Sequence, residues 1–170
     1  LYDHPYLYEL AFAFRKYDRE VDVMEECIRR FGAGPVTRVL EVACGPAPHL
    51  DVLAQRGYEY YGLDVNMNML AYAQERAERV GAAATFVNAD LRDFEVVPPV
   101  DFAFVLLGSL YVTESEEALA HLASVHRSLK HGGLYFLDWC VEFRWCETTR
   151  AKDKWTVRRN GLCANVTYVT

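Results

Sequence analysis

Glu41, Asp64 and Asp90 are the residues whose types and spacing point to chemistry. Each stands at the carboxyl end of a run that reads as a strand. Glu41 lies in Val39-Leu40-Glu41-Val42, which breaks into the tight small-residue turn Ala43-Cys44-Gly45-Pro46-Ala47, with a helix expected to open at Pro48. Asp64 ends the buried run Tyr60-Tyr61-Gly62-Leu63, 19 residues after Gly45. Strand, tight turn, helix, strand and terminal carboxylate is how an α/β protein holds a nucleoside at the carboxyl edge of a parallel sheet. A carboxylate at Glu41 repels phosphate and suits a ligand that carries an ammonium group beside the turn. Taken singly, each acid has a plainer use: Asp64 as a helix cap, Asp90 as a turn residue, Glu41 as a solvated strand end. Together, at successive strand ends, they point to a ligand.

The elements that position these acids alternate along the chain. Aromatic residues crowd the first segment (Tyr2, Tyr6, Tyr8, Phe12, Phe14), where helix is expected from about Tyr6. A second helix follows Asp18 as its cap, with Val21, Met24, Cys27, Ile28 and Phe31 on one face. Strands are predicted over 37–42, 58–63, 85–88, 101–107 and 134–139. The helices between them carry His49, Leu50, Val52 and Leu53 before Gly57, then Met69, Leu70, Ala73, Ala77 and Val80 before Gly81. Thr113 with Glu116 predicts a capping box for a helix through Lys130, with Leu119, Leu122, Val125 and Leu129 as its apolar stripe and Gly132-Gly133 as its stop. Strands that alternate with helices predict a parallel sheet wound by right-handed crossovers. Strands apolar throughout predict helices on both of its faces.

After Cys140 the rhythm changes. Residues 154–170 read as a hairpin around Asn160-Gly161. That turn pairs Trp155 with Val166, Val157 with Ala164 and Arg159 with Leu162, leaving Lys154, Thr156, Arg158, Cys163, Asn165 and Thr167 on a polar face. An isolated hairpin is marginal, so its apolar face must rest on another part of the chain. The chain therefore divides into a helical segment over 1–36, an α/β core over 37–140 and a hairpin extension over 141–170.

Composition narrows the function. The chain has 170 residues, 52% hydrophobic and 25% charged, enough for one domain with a real core. A net charge of −6 argues against nucleic acid as the main partner. No apolar run approaches the roughly 20 residues that span a bilayer. With no signal peptide evident, a cytoplasmic protein is expected, its start trimmed because Leu1 is not an initiator methionine. Five cysteines, an odd number without a Cys-x-x-Cys pair, fit reduced thiols. His121, His126 and His131 recur at five-residue steps, which turn about 140° on a helix, so they share no face and no metal site is expected.

The glycine pattern separates nucleosides. A dinucleotide fingerprint needs three glycines, and here the positions hold Gly45, Ala47 and Leu50, which speaks against an NAD-dependent oxidoreductase. A Gly-Lys-Ser/Thr phosphate loop is absent. Instead, Leu40-Glu41-Val42-Ala43-Cys44-Gly45-Pro46-Ala47 resembles motif I of class I S-adenosylmethionine-dependent methyltransferases. Gly62-Leu63-Asp64-Val65-Asn66, then the run from Phe86 to Asp93, then the run from Asp101 to Ser109, and finally Leu129-Lys130-His131-Gly132-Gly133-Leu134-Tyr135 resemble the later motifs in the right order. The resemblance covers roughly Arg38 to Trp139. Pro46, Ala47 and His131 depart from the usual residues; Pro46 fixes one φ and removes one donor.

The resemblance implies a Rossmann-like sheet, S-adenosyl-L-methionine as cofactor and S-adenosyl-L-homocysteine as product. It implies cofactor contacts from Glu41, Ala43, Cys44, Gly45, Ala47, Asp64, Val65, Asn66, Met69, Asp90, Leu91, Leu107 and Gly108. Glu41 would face the amino group directly or through water, and Asp64 the two ribose hydroxyls. Asp90 would accept from the adenine amine, the Leu91 amide would face the ring, and Gly108 and Ser109 would floor the site. Leu107-Gly108-Ser109-Leu110 in place of Asn-Pro-Pro-Tyr resembles the members that methylate nitrogen or oxygen on small molecules. Tyr2, Tyr6, Tyr8, Ser109, Tyr111, Trp139, Glu142 and Arg144 are candidates for the acceptor pocket, although some of the N-terminal tyrosines read equally well as a core-facing stripe. In such members a hairpin after strand five forms a lid. A further helix and two final strands, which the resemblance also implies, are missing, so the chain reads as a fragment or as an abbreviated fold that dimerises through its hairpin. A cofactor-binding module without turnover is the alternative function.

Overall fold

A computed structural model of the chain describes residues 2–138, 152–159 and 161–169. Its main sheet has five strands: β1 (Arg38–Val42), β2 (Glu59–Asp64), β3 (Ala84–Asn88), β4 (Val100–Val105) and β5 (Leu129–Leu137). All neighbours run parallel in the order β3-β2-β1-β4-β5. The order reverses at β1, so the loops after β1 and β4 diverge there and open a crevice at the carboxyl edge. The helices are α1 (Pro5–Ala11), α2 (Tyr17–Phe31), α3 (Leu50–Gln55), α4 (Met67–Val80) and α5 (Ser115–Ser128).

Apolar residues on both faces of the strands make two cores. Val39, Tyr60, Phe102 and Phe104 meet Val21 and Met24 of α2, Leu50 and Leu53 of α3, and Ala73 and Ala77 of α4. Leu40, Val42, Leu63, Ala103 and Val105 meet Val125 of α5 together with Phe94 and Val96. Full burial of each large side chain contributes about 1.5–3 kcal/mol, which is why the sheet forms a rigid base for the loops at its edge. Gly62 is required by packing. A Cβ there would stand 2.9 Å from both Cys44 Sγ and the Phe86 ring.

Several boundaries differ from the sequence reading. Pro48 and His49 belong to the turn, and α3 opens at Leu50. Lys16 rather than Asp18 stands at the N-cap of α2, and Phe31 at its end is 69% exposed. β5 begins at Leu129 directly after α5, with Gly132-Gly133 inside the strand, where the register with β4 shifts between Val100 and Phe102.

The largest difference concerns α5. It opens at Ser115, and Glu117 rather than Glu116 reaches back, accepting from the Thr113 backbone N–H at 3.1 Å. Leu119 and Leu122 are 66% and 48% exposed, while His121, Ser124, Val125 and Ser128 are buried. The physical reason lies beneath the helix. The irregular segment after β3 passes under α5, and its backbone groups need partners. Ser124 and Ser128 accept from the N–H groups of Phe94 and Val96 at 3.2 and 3.0 Å, which leucines could not do.

β6 (Lys152–Arg159) and β7 (Leu162–Val169) form the antiparallel hairpin, in the register expected. Its apolar face rests on the end of α1. Trp155 Nε1 donates to Ala11 O at 2.7 Å, and its ring lies 6.1 and 5.4 Å from those of Phe12 and Phe14. α1 is tied in turn to the core through Glu9, which accepts from Tyr72 and Arg76 of α4, while Arg76 also binds Asp51 of α3. Among the described residues, no helix is long and apolar enough to cross a membrane.

Candidate functional site

The turn after β1 is built on left-handed backbone. Ala43, Gly45 and Ala47 have φ of 54°, 53° and 50°, so two alanines adopt the left-handed conformation that glycine usually supplies. That costs a non-glycine residue about 1–2 kcal/mol, which hydrogen bonds must offset. Cys44 N–H donates to Leu63 O at 2.9 Å and Ala47 N–H to Cys44 O at 3.0 Å. Gly45 N–H donates to Asp64 Oδ2 at 2.7 Å. Cys44 contributes only backbone, because its side chain is 2% exposed against Gly62 and burial pushes its thiol well above the usual range.

Asp64 joins the two loops. Its Oδ1 accepts from Asn66 N–H at 2.8 Å, and Oδ2 from Gly45. A carboxylate has about four lone-pair sites, so each oxygen keeps a free one for a hydroxyl. Asn66 caps α4 by accepting from Asn68 and Met69, and it donates to Tyr2 O at 3.2 Å, drawing the N-terminal segment over this edge. Asn88 was not singled out in the sequence. It fixes the end of β2 by donating to the carbonyls of Asp64 and Val65 at 3.0 and 2.9 Å.

Beside Asp64 opens a cavity of about 210 Å³ lined by Ala43, Leu63, Asp64, Val65, Ala89, Asp90, Leu91, Arg92 and Tyr111. Five of the expected cofactor contacts meet there, with Tyr111 at the mouth. Asp90 takes a forked bond from Arg92 (Nε to Oδ1 2.9 Å, Nη2 to Oδ2 2.6 Å). The Arg92 side chain, aided by its backbone N–H, lowers the Asp90 carboxyl to about 2. Leu91 is held from behind by His121. Leu91 O can only accept, so His121 Nδ1 donates to it at 2.7 Å, which leaves Nε2 to accept from Tyr135 O–H at 2.6 Å. Burial lowers the His121 pKa in keeping with a neutral ring.

At the other end of the edge Glu41 is 5% exposed. Its Oε2 accepts from Tyr60 O–H at 2.6 Å and its Oε1 from His49 Nδ1 at 2.7 Å. The sequence marks His49 only by its place beside Leu50 in a helical run; the fold sets it at the N-cap of α3.

A model of the methyltransferase domain family matches residues 39–133. The chain belongs to that family. The crystal structure of Streptomyces venezuelae DesVI superposes with a TM-score of 0.83 at 25% identity, covering 98% of this chain and 69% of that one. The structure of SAM-bound CalS10, an amino pentose methyltransferase from Micromonospora echinaspora, superposes at 0.78 and 23% identity, over 96% of this chain and 68% of that one, a likeness of fold. In sequence, the dTDP-3-amino-3,4,6-trideoxy-alpha-D-glucopyranose N,N-dimethyltransferase of Streptomyces venezuelae is 28% identical over 165 residues, which cover 94% of this chain. The chain spans 66% of that protein's length, and 54% of the length of a Geobacillus sp. (strain WCH70) relative that carries a methyltransferase name. The sheet is thus the Rossmann-like sheet of class I S-adenosylmethionine-dependent methyltransferases, as the ordered motifs implied.

The remaining candidates scatter around this methyltransferase edge. Leu107 and Gly108 follow β4 with φ of 58° and 64°, and Gly108 N–H donates to Asp138 O at 3.3 Å, joining the ends of β4 and β5. Ser109 is half-buried beside them, and Tyr111 is 82% exposed. Val65 is 70% exposed at the cavity rim, whereas Met69 is 1% exposed, its side chain sealed in the interior. Tyr8 is half-buried, its ring 5.8 Å from Tyr2 and 4.7 Å from Phe12; burial, then Tyr2, pushes its phenol up. Tyr6 is 44% exposed and Tyr2 66%. Trp139, Glu142 and Arg144 lie outside the described residues.

Proposed function

We propose that the chain is the cofactor-binding part of an S-adenosyl-L-methionine-dependent methyltransferase that acts on an amine or hydroxyl of a small molecule. The observation that carries this reading is Asp64. It sits at the end of β2, spans the gap to Gly45 and keeps a lone pair on each oxygen free for a hydroxyl. The residues present fit the cofactor. Asp64 would hold the ribose, Asp90 and the Leu91 amide the adenine, and the turn over 43–47 with Glu41 the methionine part. S-adenosyl-L-methionine supplies the activated methyl group. The protein's own share is then to orient the acceptor and exclude water, which requires positioned side chains more than a base. Gly108 and Ser109 would floor the site, and Tyr8 and Tyr111 would flank the acceptor.

The relatives point to the acceptor class. The names of two of them specify amino sugars, so a nitrogen on a sugar is the first acceptor to test. A cytoplasmic setting accords with the free cysteines Cys27, Cys44 and Cys163. The two-stranded hairpin is a surface for pairing with a second copy, which light scattering would detect. A screen of nucleotide-linked amino sugars with S-adenosyl-L-methionine tests the whole reading. Formation of S-adenosyl-L-homocysteine with at least one acceptor is expected. Cofactor binding without turnover on any acceptor would favour a binding module instead.

A further inference from the structure

Under the small-residue turn, Glu41 stands in a charged cluster. Arg15 enters it from the link between α1 and α2, Glu20 from α2, His49 from the turn before α3, Glu41 from β1 and Tyr60 from β2. His49 is wholly buried, yet its Nδ1 lies 2.7 Å from Glu41 Oε1 and its Nε2 lies 2.8 Å from Glu20 Oε2. Carboxylate oxygens only accept, so both ring nitrogens donate and the ring is an imidazolium. Burial opposes that charge, but Glu41 and Glu20 outweigh it and raise the His49 pKa. Arg15 binds Glu20 through Nε and Nη2 and also stands beside the ring, its Nη2 3.4 Å from His49 Nε2, and the rings of Tyr17 and Phe104 stand edge-on to the imidazole at 5.2 and 5.6 Å. Two cations thus balance two carboxylates, with His49 and Glu41 buried and Glu20, its side chain 27% exposed, at the outer end.

This geometry fixes one carboxylate very tightly. Tyr60 O–H holds Oε2 of Glu41 and His49 holds Oε1, so the Glu41 carboxylate has no freedom to turn. His49 is aimed in turn by Glu20, which occupies its other nitrogen. Partners of this kind, behind a group that meets a ligand, set its orientation.

We propose that Glu20 and His49 form a positioning relay that presents Glu41 to the ammonium group of the cofactor's amino-acid end. The proposal rests on the cofactor reading above. It makes α2, a helix remote from the nucleoside cavity, part of the recognition of the methionine moiety. His49 and Glu20 touch no ligand themselves; they act through Glu41.

Two ligands separate this role from simple support of the fold. S-adenosyl-L-homocysteine carries the ammonium group, whereas 5′-methylthioadenosine has the same adenosine and sulfur without it. Calorimetric titration of the wild type should show binding of both. His49→Leu should weaken S-adenosyl-L-homocysteine by about tenfold or more while leaving 5′-methylthioadenosine within about twofold. His49→Asn, which keeps a donor near the place of Nδ1, should recover most of the lost affinity. Glu20→Gln should show a smaller loss with the same selectivity, and it carries the test if His49→Leu does not fold. Equal losses for both ligands in folded variants would mean that the cluster only supports the turn, and the relay would be wrong. Unchanged affinity for both ligands would be equally fatal to it. If the wild type binds neither ligand, the cofactor reading itself fails, and the relay with it.

Discussion

The two ends of the cleft hold the same kind of residue in opposite surroundings. Glu41 is 5% exposed and held through one bond to each oxygen, from Tyr60 and His49. Asp90 has a side chain 41% exposed and is paired with Arg92, whose side chain is 48% exposed. Buried pairs are severe when broken, because the surviving charge keeps no partner. Surface pairs are screened by water and contribute little to stability. The interior carboxylate is therefore part of the fold as well as of the site, whereas the surface one is available to a ligand at small structural cost. Asp64, between them, takes a share in both roles by tying Gly45 to β2.

The largest effect should come from the interior. His49→Leu leaves Glu41 and Glu20 without their shared cation and should destabilise the protein by about 3–5 kcal/mol in urea unfolding. A change close to zero would mean that water reaches the cluster, and the contrast with Asp90 would vanish. Next comes the wall behind the turn. Gly62→Ala pushes a methyl into Cys44 Sγ and the Phe86 ring and should cost about 1–3 kcal/mol. Adding Cys44→Ala should return part of that loss, since it removes one of the two clashes; no recovery would assign the whole strain to Phe86.

The pH dependence should take opposite signs at the two ends. The folded pKa of His49 is raised above its usual 6.5, so its contribution is fully present below about pH 6.5 and lost as pH rises through the folded value. Asp90 is lowered from 3.8 to about 2, so its smaller contribution is present above pH 3.8 and lost as pH falls towards 2. Thermal melts of His49→Asn and Asp90→Asn against pH would show each slope disappear separately. The smallest structural effect belongs to Arg92→Ala. It should leave the melting temperature nearly unchanged yet let the Asp90 carboxyl rise from about 2 towards 3.8, read by carboxyl NMR titration.

The sequence showed the frame of the site more readily than its support. The strands β1 to β3 and the hairpin register are legible because they follow from local apolar runs and from Asn160-Gly161. The three acids stand where those runs stop. The exposed face of α5 was not legible: Leu119 and Leu122 follow helical periodicity, but the segment beneath the helix needed hydroxyls rather than leucines. His49 carried no local signal either. Its partners, Glu20, Glu41 and, through Glu41, Tyr60, come from α2, β1 and β2, and only the folded sheet brings them to one ring. Asn88 is similar, since its role as a clamp depends on the parallel register that sets it beside Asp64.

The most direct measurement is calorimetric titration of the wild type and Asp64→Asn with S-adenosyl-L-homocysteine, with NAD as control. The account predicts binding of S-adenosyl-L-homocysteine alone, weakened about tenfold or more by Asp64→Asn in a protein whose circular dichroism is unchanged. Equal affinity in the two proteins, or binding of NAD in place of S-adenosyl-L-homocysteine, would contradict it.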